Sequence, residues 1–382
     1  MRTASTPTFS AHDQVAMAQA LTWAEQAIGL TDPNPRVGCV ISDGQGRVLG
    51  AGHTQQAGGP HAEVMAMRAA RADGHDLRGA TVHVTLEPCA HHGRTPPCAD
   101  ALIAAGVGRV VAAVLDPNPL VAGQGMARLQ AAGIAVAHGL MADAARELNI
   151  GFFSRMVRGR PWVRLKVAAS LDGRTALPDG TSQWITGPDA RADGHAWRRR
   201  AGAVLTGIGT VREDNPRLDV RLVPTARQPL RVVLDARLDT PPSARLLDPP
   251  GDVLLCCTDA ALSSPRAAPL SRPNVTLLPI GIDQNGWIDL GAVLDALGQR
   301  GINELHVEAG HHLNGSFVRA GLVDEFLVYL APKLLGAGRE MAAFGPLAQL
   351  ADAAPMVFTD LARVGADVRL MARSATGFGA PA

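Results

Sequence analysis

The sequence predicts two successive α/β domains in one chain, and three observations support this fold class. At 382 residues the chain exceeds the roughly 100–200 residues of a typical domain, so two domains can each bury a core. Short apolar strand patterns alternate with helix patterns in both halves. Between the halves, "LNIGFFSRMVRGRPW" interrupts the alternation with a basic stretch and a Gly-Arg-Pro break. We expect one domain over residues 1–153 and another over residues 160–375.

The elements of the first half follow from hydrophobic periodicity and from turn residues. Helices are predicted in "DQVAMAQALTWAEQAIGL", after Pro60, in "CADALIAAG" and in "AGQGMARLQAAG". Strands are predicted in "RVGCVISDGQGRVLGAG", "ATVHVTLEP", "RVVAAVLDP" and "IAVAHGL".

The second half shows the same alternation without an internal repeat. Its predicted strands are "WVRLKVAAS", "AVLTGIG", "LRVVLDA", "DVLLCCT", "VTLLPIG", "ELHVEAG" and "EFLVYLAPKLL". Its predicted helices are "GPDARADGHAWRRRAG", "LGAVLDALGQRG" and "LNGSFVRAGL".

Composition and charge narrow the class of partner. Apolar residues make up 47% and charged residues 19% of the chain, as in ordinary globular proteins. The formal charge is +1, without the strong basic excess that is typical of proteins that bind nucleic acid or an anionic membrane. We therefore expect a small-molecule substrate. No apolar run has the length of a membrane span and "MRTASTPTFSAHD" lacks a signal peptide's apolar region, so we expect a cytoplasmic protein.

Two of the five cysteines flank a pattern typical of a metal site. His61 and Glu63 open a predicted helix, and Cys89 and Cys98 lie at predicted strand-to-helix junctions, where helix dipoles stabilise thiolates. His61, Cys89 and Cys98 therefore predict one zinc ion with an open fourth position for water. Glu63 is left free to carry a proton to a leaving amine.

The spacing also permits a different zinc site. His-x-Glu followed by Pro-Cys-x-x-Cys is the pattern of zinc deaminases, but here eight residues rather than two separate the cysteines. In a closed structural site, His83, His91 or His92 would supply the fourth ligand. A closed structural site would not explain the presence of the motifs "HAE" and "NP" in the sequence.

The motifs "PNPRVGCV", "GAGH", "AGGPHAE", "TLEPCAHHGRTPPC" and "DPNP" resemble the deaminase half of the bifunctional riboflavin-biosynthesis deaminase/reductase family. The resemblance implies a cytidine-deaminase-like three-layer α/β/α domain in which Glu63 shuttles protons. It also implies that Asn34, His91 and Arg94 contact a phosphoribosylaminopyrimidine. This chain reads His53-Thr54 where the family commonly has an aromatic residue or His followed by His.

The second half resembles the same family through "KVAASLDGRTA", "SQWITG", "VLTGIGTVREDNPRLDVR", "VEAGHHLNGSFVRAGLVDE" and "APKLLG". The resemblance implies a dihydrofolate-reductase-like α/β domain that transfers hydride from NADPH to the opened ribose carbon. Independently, a strand ends at Glu308 and a helix is predicted to begin near Asn314 to Ser316. Backbone amides at such a junction form an anion site for a cofactor phosphate.

The resemblance also assigns individual residues in this half. Lys166 stands where the family has an active-site lysine, and it is one of only two lysines in the chain. Asp214 and Glu308 are both candidates for proton handling. The cofactor side comprises Ala168, Trp184, Thr210, Asp214, Gly310, His311, His312, Leu313, Asn314, Gly315 and Ser316. The substrate side comprises Ser182, Arg198, Leu218, Arg221 and Glu308, with Arg198 and Arg221 as a phosphate clamp.

The sequence therefore favours one chain with two successive catalysts, and the family suggests a homo-oligomer. A second hypothesis is a single-function deaminase of nucleosides or transfer RNA that carries a nucleotide-binding regulatory domain. A third is a closed structural zinc module with an interaction domain, in which Glu63 would have no part in turnover.

Overall fold

In the computed structural model, which describes residues 8–91, 96–119 and 121–376, the chain forms two compact units, Met1–Arg158 and Gly159–Ala382. The first unit contains helices and strands in alternation, with two consecutive helices at its end. In chain order its elements are α1 (Ala11–Glu25), β1 (Gly38–Ser42), β2 (Val48–His53), α2 (Ala62–Ala72), β3 (Thr81–Val84), α3 (Cys98–Ala105), β4 (Arg109–Ala112), α4 (Gln124–Ala131), β5 (Ala135–His138), α5 (Ala142–Leu148) and α6 (Ile150–Arg158).

The sheet of the first unit has the strand order β2-β1-β3-β4-β5. Strand β1 pairs antiparallel with β2 and β3, whereas β3, β4 and β5 are parallel. Helices α1 and α2 cover opposite faces of this sheet. A Cβ at Gly38 would meet Ala20 of α1, while a Cβ at Gly52, one register position away, would meet Met65 and Ala66 of α2. The result is a three-layer arrangement that brings the starts of α2 and α3 near the end of β3.

A buried ion cluster ties α1 to this sheet. Asp13 accepts hydrogen bonds from His83 Nε2 at 2.8 Å and from Arg109 at 2.7 and 3.2 Å. Burial alone would raise the pKa of the Asp13 carboxyl, but Arg109, His83 and Ser10 hold it well below its usual range. His83 is therefore committed to Asp13.

The second unit continues the alternation of strands and helices. In chain order its elements are β6 (Trp162–Ser170), β7 (Arg174–Ala176), α7 (Pro188–Arg200), β8 (Ala203–Gly207), α8 (Ile208–Asp214), β9 (Leu230–Leu234), β10 (Val253–Cys257), α9 (Asp259–Leu262), β11 (Val275–Pro279), α10 (Leu290–Gln299), β12 (Glu304–Val307), α11 (His311–Arg319), β13 (Glu325–Ala331), β14 (Arg339–Glu340), β15 (Met356–Val364) and β16 (Asp367–Ser374). Short 3₁₀ turns lie at 245–247, 268–270 and 350–352.

Nine strands of this unit form one sheet in the order β11-β10-β9-β8-β12-β6-β13-β16-β15. The strands from β11 to β13 in this order are parallel, and β16 and β15 extend the sheet antiparallel. Strands β8, β10 and β12 are almost wholly buried, as expected for parallel strands covered on both faces. The carboxyl ends of β8, β12 and β6 therefore lie side by side.

A chain of buried charges crosses this sheet beneath helix α7. Arg164 donates to Glu304 at 2.8 Å and to Glu325 at 2.5 Å, and Arg373 also donates to Glu325. The Arg164 guanidinium stacks on the Trp197 ring, 4.4 Å from its centroid. These contacts fix α7 on the sheet through Trp197, which is adjacent in sequence to Arg198.

Several predicted elements differ from those observed. The long strand predicted through "RVGCVISDGQGRVLGAG" is a hairpin, because the turn at Asp43–Arg47 separates β1 from β2. The helix predicted near Asn314 to Ser316 begins earlier, at His311. The segment "LNIGFFSRMVRGRPW" between the two halves contains helix α6, and α5 ends at its first residue, Leu148. Strands β15 and β16 were not predicted. Across the described ranges, the structure contains no helix with the length and apolarity needed to span a membrane.

Candidate active sites

The side chains of His61, Cys89 and Cys98 converge at one point of the first unit. His61 is the N-cap of α2, Cys98 is the first residue of α3, and Cys89 lies in the turn after β3. His61 Nδ1 is 3.7 Å from Cys89 Sγ and 3.3 Å from Cys98 Sγ, and all three ligand atoms lie within 4.8 Å of one another. A tetrahedral zinc ion, with bonds of about 2.0–2.3 Å, separates its ligand atoms by about 3.5 Å, so the trio fits zinc.

The electrostatics around the two thiols favour a thiolate. The Cys98 thiol, the His61 ring and the Cys98 N–H all donate towards Cys89 Sγ, the last at 3.3 Å, and they hold the pKa of Cys89 well below its usual value. The hydrogen bond to Cys89 and burial raise the pKa of Cys98. Thiolates are the form in which cysteine binds zinc.

Glu63 lies in the first turn of α2, two residues after His61, and its side chain is buried. Burial is the main cause that raises the pKa of Glu63 to about 7, and the neighbouring Cys89 thiolate adds to the increase. A carboxyl group with a pKa near neutrality can both accept and donate a proton, as a general acid–base requires.

Of the other histidines considered for this site, His83 and His91 lie within the described residues. His83 is bound to Asp13, so it does not provide a fourth ligand. His91 is exposed in the turn after Cys89. His92 and Arg94 lie outside the described residues. The structure thus gives no support to a closed site built with His83.

The loop that carries Asn34 precedes β1, and residues distant in sequence hold it. The Asn149 side chain accepts from Arg36 N at 2.8 Å and donates to Arg36 O at 2.9 Å, and Arg155 donates to Pro33 O at 3.0 Å. Asn34 itself is half-buried. No pattern in the sequence indicated a role for Asn149, because 113 residues separate it from its partner.

His53 is the last residue of strand β2, and Thr54 follows it. The His53 ring stacks on Trp23, with ring centroids 6.1 Å apart, and His53 Nδ1 lies 3.0 Å from Thr54 O. Thr54 is buried and donates its backbone N–H to Val37 O. The stack on Trp23 therefore orients the His53 ring.

In the second unit, Lys166, Arg198 and Glu308 form a cluster at the carboxyl edge of the sheet. Arg198 donates to both Glu308 oxygens, at 2.5 and 2.8 Å, and Lys166 Nζ lies 3.9 Å from Glu308 Oε2. Burial would raise the pKa of Glu308, but the charges of Arg198 and Lys166 hold it well below its usual value. Burial lowers the pKa of Lys166, and the Glu308 carboxylate opposes this change.

Neighbouring side chains that the sequence analysis missed complete this cluster. His306 is fully buried on β12, and its Nε2 is 3.3 Å from Glu308 Oε1. Arg198 also donates to Asp219 O at 2.9 Å. His195 accepts from Arg221 N at 3.2 Å, and burial together with the charges of Arg198 and Arg221 lowers its pKa to about 4. The sequence contains one signal for His195. It lies three residues before Arg198 on a predicted helix, so the two side chains share a face of that helix.

The residues predicted for the substrate side occupy different positions. Arg221 is exposed and pairs with Asp219 at 2.5 Å, whereas most Arg198 donors are already engaged within the protein. Leu218 is buried and has a φ of 53°, a left-handed conformation that costs a leucine about 1–2 kcal/mol. Ser182 is half-buried in the segment before α7.

Two helix N-termini meet where the cofactor phosphates are predicted. Gly207 and Gly310 are the N-caps of α8 and α11, which follow the neighbouring parallel strands β8 and β12. A Cβ at Gly310 would meet nothing closer than Thr210 Oγ1 at 3.8 Å, so the space beside the Gly310 backbone is open. Since free N–H groups at helix N-termini bind anions, this edge fits the phosphates of a dinucleotide.

The predicted cofactor residues that follow Gly310 lie in α11 itself. His311 and His312 begin α11 with their rings 4.0 Å apart, and Asn314 donates to Met341 O at 2.9 Å. Leu313, Gly315 and Ser316 follow in α11. Gly315 has no room for a side chain, because a Cβ would lie 2.0 Å from Ala343 O.

Ala168, Trp184 and Asp214 lie at three other places. Ala168 is two residues after Lys166 on the same face of β6. Trp184 is 62% exposed and is covered by Arg191, 4.6 Å from its ring centroid, so it is not a core residue. Asp214 is exposed at the end of α8, where partial burial and the adjacent Glu213 raise its pKa. Of the two acidic candidates for proton handling, Glu308 is the one that lies against Lys166, with 3.9 Å between Oε2 and Nζ.

Together the two sites define a chain with a zinc-dependent deaminase unit and an NADPH-dependent reductase unit. Residues 10–114 match the cytidine and deoxycytidylate deaminase zinc-binding region, and residues 161–370 match the RibD C-terminal domain. The riboflavin biosynthesis protein RibD of Escherichia coli is 47% identical over 371 residues, which cover 94% of this chain and 98% of that protein. The chain belongs to the RibD family of bifunctional riboflavin-biosynthesis enzymes.

Solved structures of the family have the same fold. Acinetobacter baumannii RibD superposes with a TM-score of 0.86 at 42% identity and covers 96% of this chain and 99% of its own. A second structure is a Thermotoga maritima diaminohydroxyphosphoribosylaminopyrimidine deaminase/5-amino-6-(5-phosphoribosylamino)uracil reductase. It has a TM-score of 0.85 at 32% identity and covers 95% of this chain and 99% of its own. The predicted fold class, the two activities and the two cofactors are thereby confirmed, and the single-function deaminase is not favoured.

Proposed function

We propose that the chain deaminates 2,5-diamino-6-(5-phosphoribosylamino)pyrimidin-4(3H)-one and then reduces the product's ribosyl group to a ribityl group, giving 5-amino-6-(5-phosphoribitylamino)uracil. The observation that carries the proposal is the buried Glu63 beside three converging ligand atoms, those of His61, Cys89 and Cys98. The name of the Thermotoga maritima relative supports the choice of substrate. We assign the deaminase domain to residues 1–153 and the reductase domain to residues 160–375.

In the deaminase, His61, Cys89 and Cys98 would hold zinc. When bound, zinc supplies the Lewis acidity that makes water a nucleophile near neutral pH. Glu63 takes a proton from water and delivers it to the leaving amine, so that the C–N bond breaks, a C–O bond forms and ammonia departs. Asn34, His91 and Arg94 are the proposed substrate contacts, with Arg94 on the phosphate.

In the reductase, the residues of the proposed cofactor side would hold NADPH, which when bound would supply the hydride for the ribose carbon. A proton must also reach the substrate. Lys166 orients or protonates the substrate, and Glu308 fixes the Lys166 ammonium through the charge pair at 3.9 Å. Arg198 holds Glu308, and the more exposed Arg221 is the cation for the substrate phosphate. Ser182 and Leu218 complete the proposed substrate side. Ala168, Trp184, Thr210, Asp214 and residues 310–316 form the proposed cofactor side.

A paired assay on the purified chain tests the proposal. Given the diaminopyrimidine ribosyl phosphate, zinc-loaded protein is expected to release ammonia without NADPH and to oxidise NADPH only after deamination. Chelation of zinc is expected to abolish ammonia release and to leave NADPH oxidation on the deaminated compound intact. Ammonia release with no NADPH oxidation would contradict the bifunctional assignment.

We also propose that the enzyme is a cytoplasmic homo-oligomer. The support for assembly is the edge strand β15, on which Phe358 is 70% and Leu361 is 69% exposed. Exposed apolar side chains on an unpaired sheet edge favour contact with another chain. The five cysteines are free thiols, as in a reducing compartment.

Replacing both Phe358 and Leu361 by Ser is expected to give a smaller assembly, because the substitutions remove apolar area from the contact. Analytical ultracentrifugation measures the change. Val157→Ser is the matched control, since Val157 is 59% exposed but lies on α6 of the other unit. An unchanged sedimentation coefficient in the double variant would rule out β15 as the contact.

A further inference from the structure

The turn that carries Cys89 is fastened to helix α4 on both sides of the cysteine. Before it, Glu87 is buried, and both of its carboxylate oxygens accept hydrogen bonds from backbone N–H groups near the start of α4. After it, Ala90 O accepts a hydrogen bond from Arg128 of α4 at 3.0 Å. Cys89 thus lies between two attachments to the same helix.

The Glu87 carboxylate binds four backbone N–H groups. Oε2 accepts from Asp116 N at 3.1 Å and Gly123 N at 2.9 Å, and Oε1 accepts from Gly125 N at 2.8 Å and Met126 N at 3.2 Å. Gly123 is the N-cap of α4, and Gly125 and Met126 lie in its first turn, where N–H groups have no partner within the helix. The positive end of the helix dipole further favours a carboxylate at this position.

The packing at this junction leaves little freedom for the turn. A Cβ at Gly125 would lie 1.9 Å from Pro88 O, so the first turn of α4 meets the residue before Cys89 only because position 125 is glycine. Arg128 also pairs with Asp100 of α3 at 2.6 Å. Helix α4 is therefore tied to the turn with Cys89 and to the helix that begins at Cys98.

We propose that Glu87 is a positioning residue for the zinc site. By holding the turn against α4, Glu87 places Cys89 Sγ beside His61 and Cys98 before zinc binds. The inference rests on the proposed function of those three residues as ligands. In Glu87→Gln, an amide nitrogen replaces one acceptor oxygen, so a hydrogen-bond donor faces the backbone donors of α4. The turn that carries Cys89 is then less firmly held. Zinc binding must order this turn, and zinc affinity falls.

The test measures zinc affinity of the full chain by competition with a chromophoric chelator, together with the absorption spectrum of the cobalt(II)-substituted protein. We expect Glu87→Gln to weaken zinc binding by about 10–100-fold and to shift the thiolate-to-cobalt bands. Arg128→Met, which removes the second attachment from a part-exposed position, is expected to cause a smaller loss in the same direction. Asp13→Asn is the matched control, because it removes an equally buried carboxylate of this unit whose partners are Ser10, His83 and Arg109.

Each outcome bears on the proposal. Equal zinc affinity and identical cobalt spectra in wild type and Glu87→Gln would overturn it, as would an equal loss in Asp13→Asn, which would indicate a general effect of stability. Should Glu87→Gln fail to fold, Arg128→Met decides, and wild-type affinity in that variant overturns the proposal. Absence of zinc binding by the wild-type chain would instead refute the ligand assignment itself.

Discussion

Replacing Glu63 by Gln is expected to lower the rate of ammonia release by about 10²–10⁴-fold, the range for loss of a general acid–base. The amide keeps the shape of the side chain but can neither accept a proton from water nor deliver one to the leaving amine. Zinc content should stay at the wild-type level, because Glu63 is not one of the three converging ligands. NADPH oxidation with the deaminated compound should be unchanged. The measurements are ammonia release, bound zinc and NADPH absorbance.

Glu25→Gln serves as the control, since Glu25 is an exposed carboxylate at the end of α1 in the same unit. Full ammonia release by Glu63→Gln would refute its role as proton shuttle. Loss of both activities in a folded Glu63→Gln protein would argue against two independent sites.

Much of the deaminase site could be predicted from the sequence because its chemistry is local. "HAE" places a histidine at a helix start with a carboxylate two residues later, and "PC" recurs at both thiols, so ligand type and order are visible in the printed residues. The supports are not local. Glu87 binds amides up to 39 residues away and Asn149 binds a loop 113 residues away, and no periodicity encodes such pairs.

In the reductase, the sequence could not predict which side chains contact one another. The family resemblance assigned Arg198 and Arg221 as a phosphate clamp, and in the structure Arg198 contacts Glu308 and Asp219. A helix residue finds its partner through the packing of α7 on the sheet, which depends on the buried Arg164 and Trp197. The start of the helix after Glu308 was predicted a few residues late, because α11 begins at His311 directly after its Gly310 cap.

Replacing Lys166 by Met is expected to lower the rate of NADPH oxidation by about 10²–10³-fold, an effect in the range for general acid catalysis. The methionine keeps the apolar stem but removes the ammonium beside Glu308. Ammonia release should remain at the wild-type rate. Arg300→Met is the control for charge removal, since Arg300 is exposed after α10. The measurement is the rate of NADPH absorbance loss with the deaminated compound at saturating NADPH.

Lys166→Arg separates charge from geometry. Arg keeps the positive charge opposite Glu308, but its planar guanidinium cannot replace a compact ammonium in a site already occupied by Arg198. We therefore expect Lys166→Arg to recover only part of the lost rate, with the larger defect in kcat than in KM because the missing contact is with the reacting group. Full recovery would mean that Lys166 acts only as a charge that balances Glu308. An unchanged rate in Lys166→Met would remove Lys166 from the reaction and leave proton delivery to other groups near the cofactor.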